Sequence, residues 1–228
     1  MDRASASGAG CERSSRSRGA LLSLAMVKTV QEVRAIETLE LVEIRWHGRG
    51  GQGAVTSAEL LAQAAIDEGK YAQGFPSFGP ERRGAPVLAF NRISARKPIR
   101  NRAGIVTPDV IVVLDSSLRR VVDVTSGLKE GGILVLNTEL PFEEIKSETS
   151  SRWQLATVDA LKIAQEVLGV PIVNTAMLGA LLKVTHVIEL ESLFEPLRHR
   201  FGLLGEKNIE AVRRAYQETI TNSRETKD

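Results

Sequence analysis

Residues 42–67 constrain this chain more than any other stretch. Val42-Glu43-Ile44-Arg45-Trp46-His47 is a short alternating apolar run, the period-two signature of a strand. Gly48-Arg49-Gly50-Gly51-Gln52-Gly53 is a glycine-rich turn, and residues 54–67 carry apolar side chains at helical spacing. Gly48, Gly50 and Gly53 fit a G-x-G-x-x-G template. In that template glycines permit positive φ and let a ligand approach backbone N–H groups at the positive end of the next helix. Such a strand-loop-helix unit suits a phosphate or pyrophosphate.

The template leaves several readings open. Its dinucleotide form needs a carboxylate at the end of the second strand, about 20 residues further on, to bind ribose hydroxyls. Asp67 and Glu68 instead close the helix before Gly69, and the following segment, 71–75, runs into Phe75-Pro76-Ser77-Phe78-Gly79-Pro80 without an acid. The sequence therefore argues against NAD. A plainer alternative is that the glycines only allow tight packing of strand on helix.

With 228 residues the chain has length for one α/β domain and appendages, at roughly 100–200 residues per domain. No apolar run approaches the about 18 residues of a membrane span, so a soluble, cytoplasmic protein is expected. A formal charge of +2 is too small to argue for nucleic acid. Cys11 is the only cysteine, so one chain can build neither a disulfide nor a four-thiolate iron–sulfur or zinc site. His47, His186 and His199 are widely spaced, without an H-E-x-x-H or His-x-His pair. No metal site is expected.

Residues 1–26 are rich in Ser, Arg, Gly and Ala without hydrophobic periodicity, which predicts disorder. The bias resembles a transit peptide, but the apolar patch 20–26 is brief and no small-residue cleavage site follows it. We read residues 1–40 as a disordered or non-native extension with a possible short helix at 27–41, residues 41–222 as one α/β domain, and 223–228 as a tail. Within the domain, 87–93, 133–137 and 153–157 read as strands. Val110-Ile111-Val112-Val113-Leu114-Asp115 is a continuous β-branched run of the kind buried on both faces of a parallel sheet, and it ends in a carboxylate. Ser116 and Ser117 offer an N-cap for a helix through Leu128 that Gly131-Gly132 breaks, and Asp159 caps another that Gly169 ends. Further on, 174–185 reads as a buried helix, and 190–200 and 206–222 as amphipathic ones, the last with Ile209, Val212, Tyr216 and Ile220 on its apolar face. Strands alternating with helices predict an α/β fold with a doubly wound, mostly parallel sheet, a glycine-rich start and C-terminal helices.

Between the first helix and the next clear strand lies Phe75-Pro76-Ser77-Phe78-Gly79-Pro80-Glu81-Arg82-Arg83-Gly84-Ala85-Pro86. Three prolines and two glycines stiffen this loop around Glu81, Arg82 and Arg83. A charge triplet in a loop is commonly a surface salt bridge. Guanidinium groups held beside a phosphate-ready glycine loop would form an anion clamp, with Glu81 orienting one arginine.

Three blocks then carry a family resemblance: His47-Gly48-Arg49-Gly50-Gly51-Gln52-Gly53; Phe78-Gly79-Pro80-Glu81-Arg82-Arg83-Gly84-Ala85-Pro86; and Asn174-Thr175-Ala176-Met177-Leu178-Gly179-Ala180. In sequence, order and spacing they resemble the gamma subunit of 2-oxoacid:ferredoxin oxidoreductases of the pyruvate and ketoisovalerate type. The resemblance spans about residues 42–216. The first 40 residues depart from it.

The resemblance implies a multisubunit enzyme, a pyruvate synthase, that converts a 2-oxoacid, coenzyme A and oxidised ferredoxin into acyl-CoA, CO2 and reduced ferredoxin. Thiamine diphosphate with Mg, and iron–sulfur clusters, would sit on partner subunits, because this chain has no G-D-G thiamine motif and no cysteines for clusters. The expected partners are alpha, beta and delta (ferredoxin-like) subunits, with ferredoxin reached through the complex and neither nucleic acid nor membrane involved. No residue of this chain is expected to be catalytic. Coenzyme A is the ligand that would use Gly48, Arg49, Gly50, Gly51, Gln52, Gly53, Glu81, Arg82, Arg83, Asn174 and Thr175. Among substrates pyruvate ranks first, branched-chain 2-oxoacids second and indolepyruvate third, with 2-oxoglutarate less similar. A non-catalytic nucleotide-binding or assembly module is the reading from a different class.

Overall fold

The first strand, β1 (Val42–Arg49), has both faces covered. Ile44 and Trp46 are fully buried on one face, while Arg45 and His47 are buried on the other. A strand of this kind belongs in the interior of a sheet. In a computed structural model, which describes residues 40–77, 84–149 and 152–222, it lies third in a seven-stranded sheet of order β2-β3-β1-β4-β5-β6-β7. Here β2 is Tyr71–Pro76, β3 Pro86–Ser94, β4 Val110–Val113, β5 Ile133–Asn137, β6 Gln154–Val158 and β7 Ile220–Thr221. The strands β1, β4, β5 and β6 are parallel. On one side β3 runs antiparallel to β1 and β2 antiparallel to β3; on the other β7 runs antiparallel to β6.

Two layers cover this sheet. On the face of Ile44, Trp46, Val110 and Val112 lie α1 (Ala54–Asp67), α3 (Ala160–Leu168), α4 (Asn174–Thr185) and α6 (Gly205–Glu218), which form the larger core. α5 (Phe194–Phe201) packs on the outside of this layer, with Leu197 reaching the core. On the face of Ile111, Val113, Leu134 and Leu136 lie the 3-10 turn Ser116–Arg120, the stretch around Val124 and Leu128, and α2 (Phe142–Glu148) through Ile145. Burying a large apolar side chain such as Ile44 or Leu61 contributes about 1.5–3 kcal/mol. The bigger layer therefore supplies most of the driving force. The Asn91 side chain, fully buried, accepts from Trp46 Nε1 at 2.7 Å and donates to the Ala58 carbonyl at 2.8 Å. That junction fixes β3 and α1 on β1.

The doubly wound α/β expectation holds, and several helix limits match the sequence signals. Asp159 caps α3 by accepting from the Lys162 N–H at 2.9 Å, and Gly169 ends it in the left-handed conformation. The helix expected from Ser116 and Ser117 to Leu128 is instead a single 3-10 turn capped by Asp115. The causes are local. Asp123 accepts from the Thr125 N–H and hydroxyl, a turn that competes with helix, and Arg45 takes the Val124 and Ser126 carbonyls that a helix would use. The last helix ends at Glu218 because the Thr219 hydroxyl bonds back to the Ala215 carbonyl and the chain then pairs with β6. Ile220 consequently leaves the helix face and is 56% exposed. The helix expected over 190–200 divides into a 3-10 turn, Leu190–Leu193, and α5. The sequence did not reveal α2. The expectations for residues 1–39 and 223–228 lie outside the described residues.

Candidate functional site

At the carboxyl ends of β1 and β4 the chain turns toward opposite faces of the sheet. After β1 it crosses into α1 on the larger-core side, and after β4 into the 3-10 turn whose Leu118 packs on the other side. Such a switch point opens a crevice between neighbouring parallel strands, the usual place for a ligand in an open α/β sheet. The glycine loop forms one lip and Asp115-Ser116-Ser117 the other.

Hydrogen bonds within the loop make its turn. The Gln52 N–H donates to the Arg49 carbonyl at 3.0 Å, and Gln52 Oε1 accepts from the Arg49 N–H at 2.8 Å. Gly50 pairs both ways with the end of the proline-framed loop, donating to the Ala85 carbonyl at 3.0 Å and accepting from the Gly84 N–H at 3.3 Å. These bonds carry the β1–β3 ladder beyond Arg49↔Pro86. Gly51, at φ +97°, is exposed, and no atom within 4 Å would meet a Cβ there. Gly53, at φ +83°, begins α1. A Cβ on it would lie 2.7 Å from Asn174 Nδ2. Gly48 packs closely too, with Ala54 Cβ 3.3 Å from where its own would be. α1 has no side-chain cap and no acidic residue in its first turn, so the positive end of its dipole faces the crevice without a counter-charge from its own side chains.

Asp115 is the polar centre of the opposite lip. Its Oδ2 accepts from Arg49 Nε at 2.9 Å and Gln52 Nε2 at 3.1 Å. Its Oδ1 accepts from the Ser117 N–H at 2.9 Å and hydroxyl at 2.6 Å. Burial would raise the carboxyl's pKa, but the bonds from the Ser117 hydroxyl, Gln52, the Ser117 N–H and Arg49 outweigh it and hold the group below its ordinary range. Arg49 also donates to the Gly84 carbonyl at 3.0 Å and to Ser117 Oγ at 2.9 Å. Its guanidinium is thus engaged on three sides within the chain. The role of Asp115 was not read from the sequence, although a buried strand ending in a carboxylate beside a glycine loop was the available signal.

Behind the loop, on the smaller-core face of β1, Arg45 and His47 form a buried pair. Arg45 Nε donates to His47 Nε2 at 3.0 Å, and the rest of the guanidinium reaches the carbonyls of Val106, Val124 and Ser126. Burial, then the neighbouring Arg45 charge, pushes the His47 pKa down to about 4 against a smaller opposing pull from Asp123. The imidazole is therefore neutral near pH 7, with Nε2 as acceptor and the proton on Nδ1. Burial also lowers Arg45, again opposed by Asp123.

The structure thus brings together Gly48, Arg49, Gly50, Gly51, Gln52 and Gly53 with Asn174, and separates Thr175 from them. Asn174 is buried against Gly53; its Oδ1 accepts from the Thr175 N–H and its carbonyl from Ser57 Oγ. Thr175 is fully buried and donates to Asn208 Oδ1 at 3.0 Å, tying α4 to α6. Glu81, Arg82 and Arg83 lie outside the described residues; Gly84, on their C-terminal flank, is fastened to Gly50. A cleft of about 530 Å³ lies between α1 and α5, lined by Glu59, Asp67, Glu195 and His199 among others. It contains none of the loop residues, and its acidic lining does not suit an anion. No cluster of three or more His, Cys, Asp or Glu suited to a metal exists among the described residues, and none of their helices is long and apolar enough to cross a membrane.

Residues 43–218 match the family model described as pyruvate ferredoxin/flavodoxin oxidoreductase. The chain is 56% identical over 182 residues to the "Pyruvate/ketoisovalerate oxidoreductases common subunit gamma" of Thermococcus kodakarensis, covering 79% of this chain and 98% of that one. It is 54% identical over 178 residues to "Pyruvate synthase subunit PorC" of Methanothermobacter marburgensis, covering 78% and 97%. Among solved structures, pyruvate oxidoreductase subunit PORC from Thermotoga maritima superposes with a TM-score of 0.71 at 39% identity, covering 81% of this chain and all of that one.

Proposed function

This chain belongs to the pyruvate ferredoxin/flavodoxin oxidoreductase family, and from that premise we propose that it serves as the gamma subunit of a pyruvate- or branched-chain 2-oxoacid:ferredoxin oxidoreductase and helps to bind coenzyme A there. The reaction splits the bond between the carboxylate and carbonyl carbons of the 2-oxoacid. CO2 leaves, the acyl carbon becomes a thioester of coenzyme A, and two electrons pass to ferredoxin. Thiamine diphosphate and iron–sulfur clusters supply the carbon and electron chemistry from partner subunits. This chain's part is to hold the polyanionic end of coenzyme A and to join the complex.

The supporting observation is the start of α1. A 14-residue helix opens on a glycine turn with no side-chain cap and no acidic residue in its first turn, and exposed Gly51 leaves its approach free of a side chain. Backbone N–H groups and the helix dipole suit a pyrophosphate or the 3′-phosphate. Arg49 is already committed to Asp115, Ser117 and Gly84. The counter-charge is therefore assigned to Arg82 or Arg83, which precede Gly84 in the sequence. Asn174 and Thr175 support the site from behind without touching a ligand.

The test is made in the assembled complex. Arg82→Ala or Arg83→Ala should weaken coenzyme A by about 1.5–3 kcal/mol, the range of a charge-assisted hydrogen bond, or roughly ten- to a hundredfold. The KM for coenzyme A should rise while that for the 2-oxoacid stays. Equal coenzyme A constants in both variants and the unaltered complex would remove the clamp. The purified chain alone, given thiamine diphosphate, coenzyme A and pyruvate, should not reduce a dye; sustained turnover would refute the subunit reading.

A further inference from the structure

We propose that Asp115 is the positioning residue of this site: from the end of β4 it sets the glycine loop, through Arg49 and Gln52, and Gly84, through Arg49, in one fixed relation. The inference rests on the reading that these two loops take the coenzyme A phosphates. It adds a residue outside both loops and assigns Arg49 a different task from anion binding.

The geometry carries it. The last backbone link between the two strand ends is the Leu114 N–H to the His47 carbonyl at 2.8 Å; beyond it, among the described side chains, removing the Asp115 carboxylate would leave the Arg49 to Ser117 Oγ bond between the lips. With it, one carboxylate gathers four donors: Arg49 Nε and Gln52 Nε2 on Oδ2, the Ser117 N–H and hydroxyl on Oδ1. Gln52 is the residue that closes the glycine turn, through both its N–H and its side-chain oxygen. Arg49 is the residue whose outer nitrogen reaches the Gly84 carbonyl. A carboxylate that orients both therefore fixes the turn and Gly84 together. Arg49 and Asp115 are both partly exposed, with side-chain exposures of 29% and 19%. At that exposure the ion pair alone adds little to stability, whereas a carboxylate held by four bonds and a guanidinium held by three restrict geometry strongly. Asp115 touches no ligand in this scheme; it acts through the residues it holds.

Its signature is a split between binding constants. In the assembled complex, Asp115→Asn keeps the size but removes the charge and one acceptor oxygen. The KM for coenzyme A should rise about tenfold or more, kcat and the 2-oxoacid KM should change by less than about twofold, and subunit stoichiometry should hold. Arg49→Lys, which keeps the charge and loses the fork, should show the same split. The double variant should be no worse than the poorer single one, as for groups acting as one unit. Multiplicative effects in the double variant would overturn the proposal. So would an unchanged coenzyme A KM in Asp115→Asn while Arg83→Ala raises it, a result that leaves the coenzyme A reading intact. Unchanged constants in all these variants would remove both. A general fall in kcat with loss of subunits would make Asp115 a purely structural group. If Asp115→Asn does not assemble, Ser117→Ala decides: it removes the hydroxyl's bonds with Asp115 Oδ1 and Arg49 but spares the Ser117 N–H bond to Oδ1 and both Oδ2 bonds, so a coenzyme A effect smaller than that of Arg49→Lys supports the proposal and a larger one overturns it.

Discussion

Two glycine-bearing stretches have opposite settings in the fold. Gly48 to Gly53 forms a turn whose apex meets solvent; at Gly51 nothing lies within 4 Å of an added Cβ. Asn174 to Ala180 is walled in, and a Cβ on Gly179 would stand 2.1 Å from the Val212 carbonyl oxygen of α6. The first motif leaves backbone available to something outside the chain. The second spends its small residues on letting two helices touch. They meet at a single point, Gly53 against Asn174, so the packed motif sets the position of the open one. A glycine-bearing stretch thus need not leave its backbone open to a ligand.

The strongest way to break that contrast is Gly179→Ala. With the new methyl forced onto the α6 backbone, we expect a loss of more than about 3 kcal/mol, read as failure to fold or a large fall in Tm. A change within a few degrees would mean that α4 and α6 separate easily and that the second motif is not packing-limited.

Acid should act beside the first motif, at His47, and spare the second, which has no titratable side chain. The His47 pKa is depressed from 6.5 to about 4, so the unfolded chain binds this proton first as pH falls. The stability tied to the neutral imidazole is fully present above about pH 6.5 and is lost progressively down to about pH 4. Below that this group adds nothing further. The total is about 3 kcal/mol. Denaturant melts of wild type and His47→Gln between pH 7 and 4 should differ in slope; parallel curves would show that His47 is not the acid-sensitive group.

The smallest effect belongs to Gly51→Ala. Positive φ costs a non-glycine residue about 1 kcal/mol, but the site has room, so folding should survive with a Tm lower by a few degrees. A collapse comparable to Gly179→Ala would erase the distinction between the two motifs.

Much of this was legible in the sequence for physical reasons. The alternation at 42–47, the β-branched run at 110–113 and the Asp159 and Gly169 caps are local signals, and the structure follows them. What could not be read depends on partners far along the chain. Arg45 holds carbonyls at Val106, Val124 and Ser126, and so converts an expected helix into a 3-10 turn and irregular chain. Asp115 gains its meaning only when β4 is laid beside β1. Thr175 was expected among the coenzyme A residues, and its hydroxyl donates to Asn208 on α6, a partner that local sequence does not show. The blocks that carry the resemblance did not reveal that Gly53 packs against Asn174 while Gly51 faces outward.

The burial of α4 also has a consequence for how the protein is made. Its residues from Asn174 to Leu182 are all buried, and part of their cover is α6, which is synthesised later, with β7 after it closing the sheet edge. At about 5–20 residues per second, a nascent chain would carry an apolar helix without its outer wall for on the order of seconds. A ribosome that stalls or terminates between α4 and α6 would release a protein with the glycine loop and six of the seven strands in place, yet with the apolar face of α4 uncovered. The end of this chain thus governs whether its beginning, where the site lies, reaches its partners or aggregates.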